Sequence, residues 1–122
     1  MKLHAAAPGT YNMITAYGDG YVVVNGRRHD SSLIVTPDQV LPWGAVSFDR
    51  LAPESFDFVR SEKLEIVLLG TGARQRFPHP QLTAALRDAR IGLEVMDLQA
   101  ACRTYNILVA EERKVAAALL FE

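Results

Sequence analysis

A chain of 122 residues has the size of one domain, 1–122, and is long enough to bury a core without metal or disulfide staples. Apolar residues make up 49% and charged residues 22%, and the formal net charge of -1 supplies no broad field to attract nucleic acid or an acidic membrane surface. The one cysteine, Cys102, excludes an intramolecular disulfide and fits a reducing compartment, so cytoplasm is the expected location.

Residues 1–10 contain Pro8-Gly9 and little apolar pattern, which reads as a loosely held arm whose apolar run is too short for a signal peptide. No stretch approaches the roughly 20 apolar residues that insert into a bilayer. Tyr11 to Tyr17, Tyr21 to Val24 and Arg27 to Asp30 then read as strands, separated by Gly18-Asp19-Gly20 and Asn25-Gly26. Asn-Gly is a strong hairpin signal, because both central residues of a type I′ turn need positive φ. A β-meander therefore opens the domain. Ser32 to Thr36 is a further short strand, and Val40 to Val46 is an edge or irregular strand because Pro42 lacks a ladder donor. Trp43 is expected in the core, and Pro53 to Arg60 forms a short helix that turns Phe56, Val59 and Phe58 inward.

Ile66 to Leu69 is continuously apolar, the pattern of a strand covered on both faces, and is expected at the centre of the sheet. After Gly70-Thr71-Gly72, a helix begins near Pro80 with Leu82, Ala85, Leu86 and Ala89 on its buried side. Gly92 is the expected left-handed residue that releases the chain into a strand, Leu93 to Met96, parallel to the first. Asp97 is a good N-cap for a helix from Leu98 to about Ala110, whose stripe is Leu98, Ala101, Cys102, Tyr105, Leu108 and Val109. Lys114 to Phe121 follows as a final strand. The fold class is thus α/β: a mixed, mostly parallel sheet of about five strands with an N-terminal meander and two to three helices.

Gly70, Thr71 and Gly72 end a strand, where glycines let backbone amides approach an anion. Position 75 is glutamine, so the dinucleotide fingerprint is incomplete, and no Gly-Lys-Ser/Thr follows. A tight turn and a small-anion loop stay open as readings. Arg74, Arg76 and His79 lie close behind, and Arg74 is the best cation for a carboxylate or phosphate. Arg103, Thr104 and Asn106 form a polar group on the last helix, with either structural or ligand-facing roles. Cys102 lies on the buried stripe, where a thiol behaves as a small hydrophobe. No nucleophile elbow, His-Glu-x-x-His or cysteine pair is present, which leaves no candidate catalytic residue, metal site or cofactor.

Leu68-Leu69-Gly70-Thr71-Gly72, Gly92 to Asp97, Ala100-Ala101-Cys102-Arg103-Thr104-Tyr105-Asn106-Ile107-Leu108, and Arg113 with Val115 to Leu120 carry a resemblance to a known family. Tyr17, Gly20, Asn25-Gly26, Ser32, Val35 and Trp43 extend it through the first half. The chain resembles the Mth-type domain-of-unknown-function family, which includes the adipogenesis-associated Mth-type domain protein and a mitochondrial respiratory complex I (NADH:ubiquinone oxidoreductase) assembly factor. The resemblance implies a three-layer α/β fold with a smaller β layer, no established reaction or cofactor, and protein partners in the mitochondrial branch. It maps shared polar positions onto Thr71, Thr104 and Asn106, with Arg74 beside them. Leu98 and Glu112 depart from the threonine and glycine of many relatives, so Glu112 carries strain if its φ is positive.

Two functional readings follow. One is a non-catalytic protein-binding factor, for which Ile107 is the candidate exposed apolar residue beside Arg103 and Asn106. The other is a small-anion or small-metabolite site, enzymatic or not, where the Gly70–Gly72 turn meets the last helix at the carboxyl ends of two strands.

Overall fold

The computed structural model describes residues 11–122, and the arm expected over residues 1–10 lies outside them. The meander consists of β1 (Ile14–Gly18), β2 (Tyr21–Val24) and β3 (Arg27–His29) in antiparallel order. Asn25 and Gly26 take φ of 51° and 83°, the paired positive values that the tight turn between β2 and β3 demands. The second sheet contains β4 (Leu33–Val35), β5 (Val40–Pro42), β6 (Ile66–Thr71), β7 (Gly92–Met96) and β8 (Val115–Leu120) in the order β5-β4-β8-β6-β7. β6 pairs in parallel with β7 and β8, whereas β4 pairs antiparallel with β8 and β5.

The middle strand is β8, which corrects the expectation for Ile66–Leu69: β6 lies one place toward the β7 edge. Both strands are continuously apolar, so their patterns do not rank them. The alanines decide the matter physically. Ala116, Ala117 and Ala118 let layers close on both faces of β8, and all of its residues from Val115 to Leu120 have 0% exposure. Val115, Ala117 and Leu119 join Leu68 against α2 (Leu98–Ala110) and the meander's Ile14, Val22 and Val24. On the other face, Ala116, Ala118 and Leu120 join Val67 and Leu69 against Trp43, Phe56, Val59 and Leu86.

Trp43 is core, as its size implies. Its indole N–H donates to the Ser55 carbonyl at 2.8 Å, and Phe56 and Phe58 meet its ring edge-on. Those phenylalanines belong to a 3-10 segment, Pro53–Ser61, in place of the expected short helix. A second 3-10 turn, Pro80–Thr83, leads into α1 (Ala84–Asp88), and Leu86 alone of the expected stripe is fully buried. Ala89 is exposed because the helix has already ended.

The left-handed residue after α1 is Arg90, with φ of 59°, and not Gly92. Ile91 N–H donates to the Leu86 carbonyl and Arg90 N–H to that of Arg87, which closes the turn two residues early. Gly92 consequently starts β7, donating to the Glu65 carbonyl at 3.0 Å. Glu112 does hold positive φ, 61°, the region glycine enters without strain.

Candidate functional site

The parallel pairing of β6 and β7 brings Gly70 opposite Met96, so Thr71 and Asp97 emerge at the same rim of the sheet. There the glycine turn is tied to its surroundings. Thr71 is 1% exposed; its hydroxyl donates to the Arg74 carbonyl at 2.5 Å, lies 3.3 Å from the Met96 carbonyl, and accepts from Arg76 N–H at 3.0 Å. One hydroxyl thus closes the loop upon itself and links it to β7. Gly70 packs beneath α2, where an added Cβ would come within 3.0 Å of Ala101 and Leu119 side chains. Gly72 has φ of 82°, and a Cβ there would lie 2.1 Å from the Glu122 carbonyl oxygen.

The same turn organises the start of α2. Leu98 is buried and donates its N–H to the Gly72 carbonyl at 2.7 Å. Asp97 caps the helix by accepting from Ala100 N–H at 2.8 Å. The positive end of the helix therefore already faces a carboxylate of its own chain. A cleft of about 440 Å³ opens beside this rim; its charged lining residues are Asp19, Asp97 and Glu122, all acidic.

Arg74 is exposed and does not line that cleft. Arg76 stacks over the Phe48 ring at 4.2 Å and pairs with Asp49 at 3.2 Å and Glu122 at 3.6 Å. The Glu122 carboxylate also accepts from Phe48 N–H. The carboxylates this cation meets are those of the chain itself. His79 caps the 3-10 turn, with Nδ1 accepting from Gln81 N–H.

Asn106 lies apart from the glycine turn. Its Oδ1 accepts from Ile14 N–H at 2.9 Å and its Nδ2 donates to the Ile14 carbonyl at 2.7 Å, so the amide completes the outer edge of β1 as a neighbouring strand would. Arg103 reaches the Tyr17 hydroxyl at 3.5 Å, further along the same strand, and Thr104 is half-buried between them in sequence. Thus Asn106 and Arg103 come together on β1, while Gly70, Thr71 and Gly72 come together at the sheet rim. Cys102 is fully buried, and burial pushes its thiol up to about 12 although Arg103 opposes the shift. Among the described residues, no group of three His, Cys, Asp or Glu side chains is placed to hold a metal.

Gln75, which breaks the dinucleotide fingerprint in sequence, has a structural partner. Its side-chain amide donates to the Val95 carbonyl at 2.8 Å on the open edge of β7. Nearby in sequence, Phe77 is 71% exposed, an apolar residue between Arg76 and Pro78 with no periodic pattern to reveal it. Ile107, expected at the surface, is 58% exposed.

Taken together, a mixed five-stranded sheet, a capping meander and the polar side chains of Thr71 and Asn106 turned onto backbone define a small α/β domain whose motifs hold its fold. The chain belongs to the family described as protein of unknown function (DUF498/DUF598), whose pattern matches residues 14–120. It is similar to the Bos taurus protein named NADH dehydrogenase [ubiquinone] 1 alpha subcomplex assembly factor 3, with 35% identity over 109 residues, covering 88% of this chain and 59% of the relative. The chain spans less than two thirds of that relative's length. A crystal structure from Bordetella parapertussis superposes with a TM-score of 0.87 at 38% identity, covering 97% of this chain and 99% of that one. The solution structure of a Bordetella pertussis protein described as a Mth938-like domain gives a TM-score of 0.81 at 32% identity, covering 99% and 92%. These likenesses agree with the Mth-type family resemblance and with the α/β fold. Among the described residues, no helix is long and apolar enough to cross a membrane.

Proposed function

We propose that this chain is a non-catalytic protein-binding factor that assists the assembly of a respiratory NADH dehydrogenase. The assembly factor named for the relatives supports this reading, and the geometry carries it through one observation. Thr71 and Asn106, polar positions of the family resemblance, direct their side chains onto backbone groups and not into a shared reaction centre. Function then falls to the surface, where Ile107 and Phe77 are exposed apolar side chains available to a partner. A strain of the native host lacking this chain is expected to contain less assembled NADH dehydrogenase on native gels, with normal levels restored by the wild-type chain. Unchanged assembly in the deletion strain would contradict the proposal.

The cleft lined by Gly72 and Asp97 favours a second reading, a small-ligand site at the end of the Gly70–Gly72 turn, with Arg74, outside the cleft lining, as the cation proposed for an anion. Its acidic lining suits a cationic or neutral ligand better than an anion. Thermal-shift screening of metabolites and inorganic anions against wild type and Arg74→Ala separates these cases. An anion that stabilises wild type but not the variant supports an anion site at the Gly70–Gly72 loop; equal stabilisation places its site elsewhere.

A further inference from the structure

Every open sheet presents edges, and a protein suppresses unwanted pairing there by bulges, proline, short strands or charge. Among the described residues the two sheets present four edges, and three of them carry such devices. β1 has a register irregularity between Ile14 and Ala16, and the Asn106 amide covers Ile14. β3 has three residues, two of them Arg27 and Arg28. β5 also has three residues and ends on Pro42. The remaining edge, β7, has five residues and no proline, with Glu94 as its one charged side chain.

The hydrogen bonding of β7 identifies which backbone groups are turned outward. Gly92 N–H points to β6, where it donates to the Glu65 carbonyl. By the alternation of a strand, Leu93 and Val95 direct their N–H and C=O groups toward the open side. The Gln75 side chain occupies the Val95 carbonyl on that side, a single side-chain bond standing where a ladder would run. Leu93 and Val95 are half-buried among the apolar residues of one face, while Glu94 is exposed on the other.

We infer that β7 accepts an extended segment of a partner protein by strand addition, with apolar residues beside Leu93 and Val95 and a lysine or arginine beside Glu94. The segment displaces Gln75 and pairs with the outward backbone groups of Leu93 and Val95. Charge selects the occupant. A second copy of this chain, paired antiparallel in the register centred on β7, would set Glu94 against Glu94, whereas a basic segment turns the same position into an attraction. This inference rests on the protein-binding reading and specifies the chemistry of its partner.

The test uses the full chain and the blocked peptide Thr-Val-Lys-Val-Thr in an NMR titration. Saturable shifts and slowed exchange are expected at the Leu93 and Val95 amides. Glu94→Lys is expected to weaken binding about tenfold, and a peptide with glutamate in place of its lysine to restore it. Gln75→Ala is expected to bind more tightly than wild type. No saturation at millimolar peptide, shifts centred on another surface, or equal affinity in Glu94→Lys would overturn the inference. Self-association of Gln75→Ala in sedimentation would overturn the choice of a basic partner in favour of a second copy. A host protein captured equally by wild type and Glu94→Lys would overturn the β7 assignment but leave the protein-binding reading standing. Peptide binding at β7 in a chain that captures no host protein would do the reverse.

Discussion

Replacing Asn106 by alanine removes both bonds to Ile14, one accepted at 2.9 Å and one donated at 2.7 Å. Ile14 is 4% exposed, so water reaches its backbone poorly once the amide is gone. Two net hydrogen bonds of about 1 kcal/mol each, together with the partial cost of stranded backbone groups, predict a loss of about 2–4 kcal/mol. For a domain of this size that lowers Tm by roughly 8 °C or more. Urea unfolding followed by circular dichroism measures the loss, and amide exchange at Ile14 localises it. Asn106→Asp keeps the acceptor for Ile14 N–H but sets a carboxylate against the Ile14 carbonyl. Its deficit relative to wild type should shrink as pH falls below about 4, where the protonated acid regains a donor. A loss below about 0.5 kcal/mol for Asn106→Ala, with Ile14 exchange unchanged, would refute the structural role assigned to this side chain.

Gly72→Ala should cost about 3 kcal/mol, because positive φ and the approach to Glu122 act together; Gly20→Ala, with φ of 75° and nothing within 4 Å of its Cβ, should cost only about 1 kcal/mol. Chemical denaturation of the two variants separates the clash from the backbone term. Arg90→Gly relieves a left-handed residue at φ of 59° and should raise stability by up to about 1 kcal/mol, whereas Arg90→Val should lower it. Cys102, held up to about 12 by burial, should react with Ellman's reagent only as fast as the chain opens. Its folded state retains the proton after the unfolded thiol has lost it, so between about pH 9 and 12 it removes about 1.4 kcal/mol of stability per pH unit. This adverse slope begins near the unfolded thiol's pKa as pH rises; Cys102→Ala should remove its share.

Local patterns were sufficient where the determinant was local. Asn25-Gly26 specified its turn, Asp97 set the start of α2, and the Val115–Leu120 run formed the expected last strand. Rank within the sheet was not legible, because the run in β6 is as apolar as that in β8 and only packing on three small side chains separates them. Gly92 looked like the helix exit by residue type, yet the hydrogen bonds of Arg90 and Ile91 place the exit earlier. The candidate site shows the same division. Thr71, Arg103 and Asn106 were recognisable as polar residues in informative positions, but the partner of Asn106 lies 92 residues away in sequence. Gln75 carried no signal of its own until β7 supplied the Val95 carbonyl.

Affinity capture from native-host extract after reversible crosslinking, followed by quantitative mass spectrometry, tests the protein-binding account most directly. The account predicts enrichment of NADH dehydrogenase subunits or their assembly intermediates over a control domain, with the signal retained in Arg74→Ala. Capture indistinguishable from the control, alongside a metabolite that saturates the cleft beside Gly72 and Asp97, would contradict it.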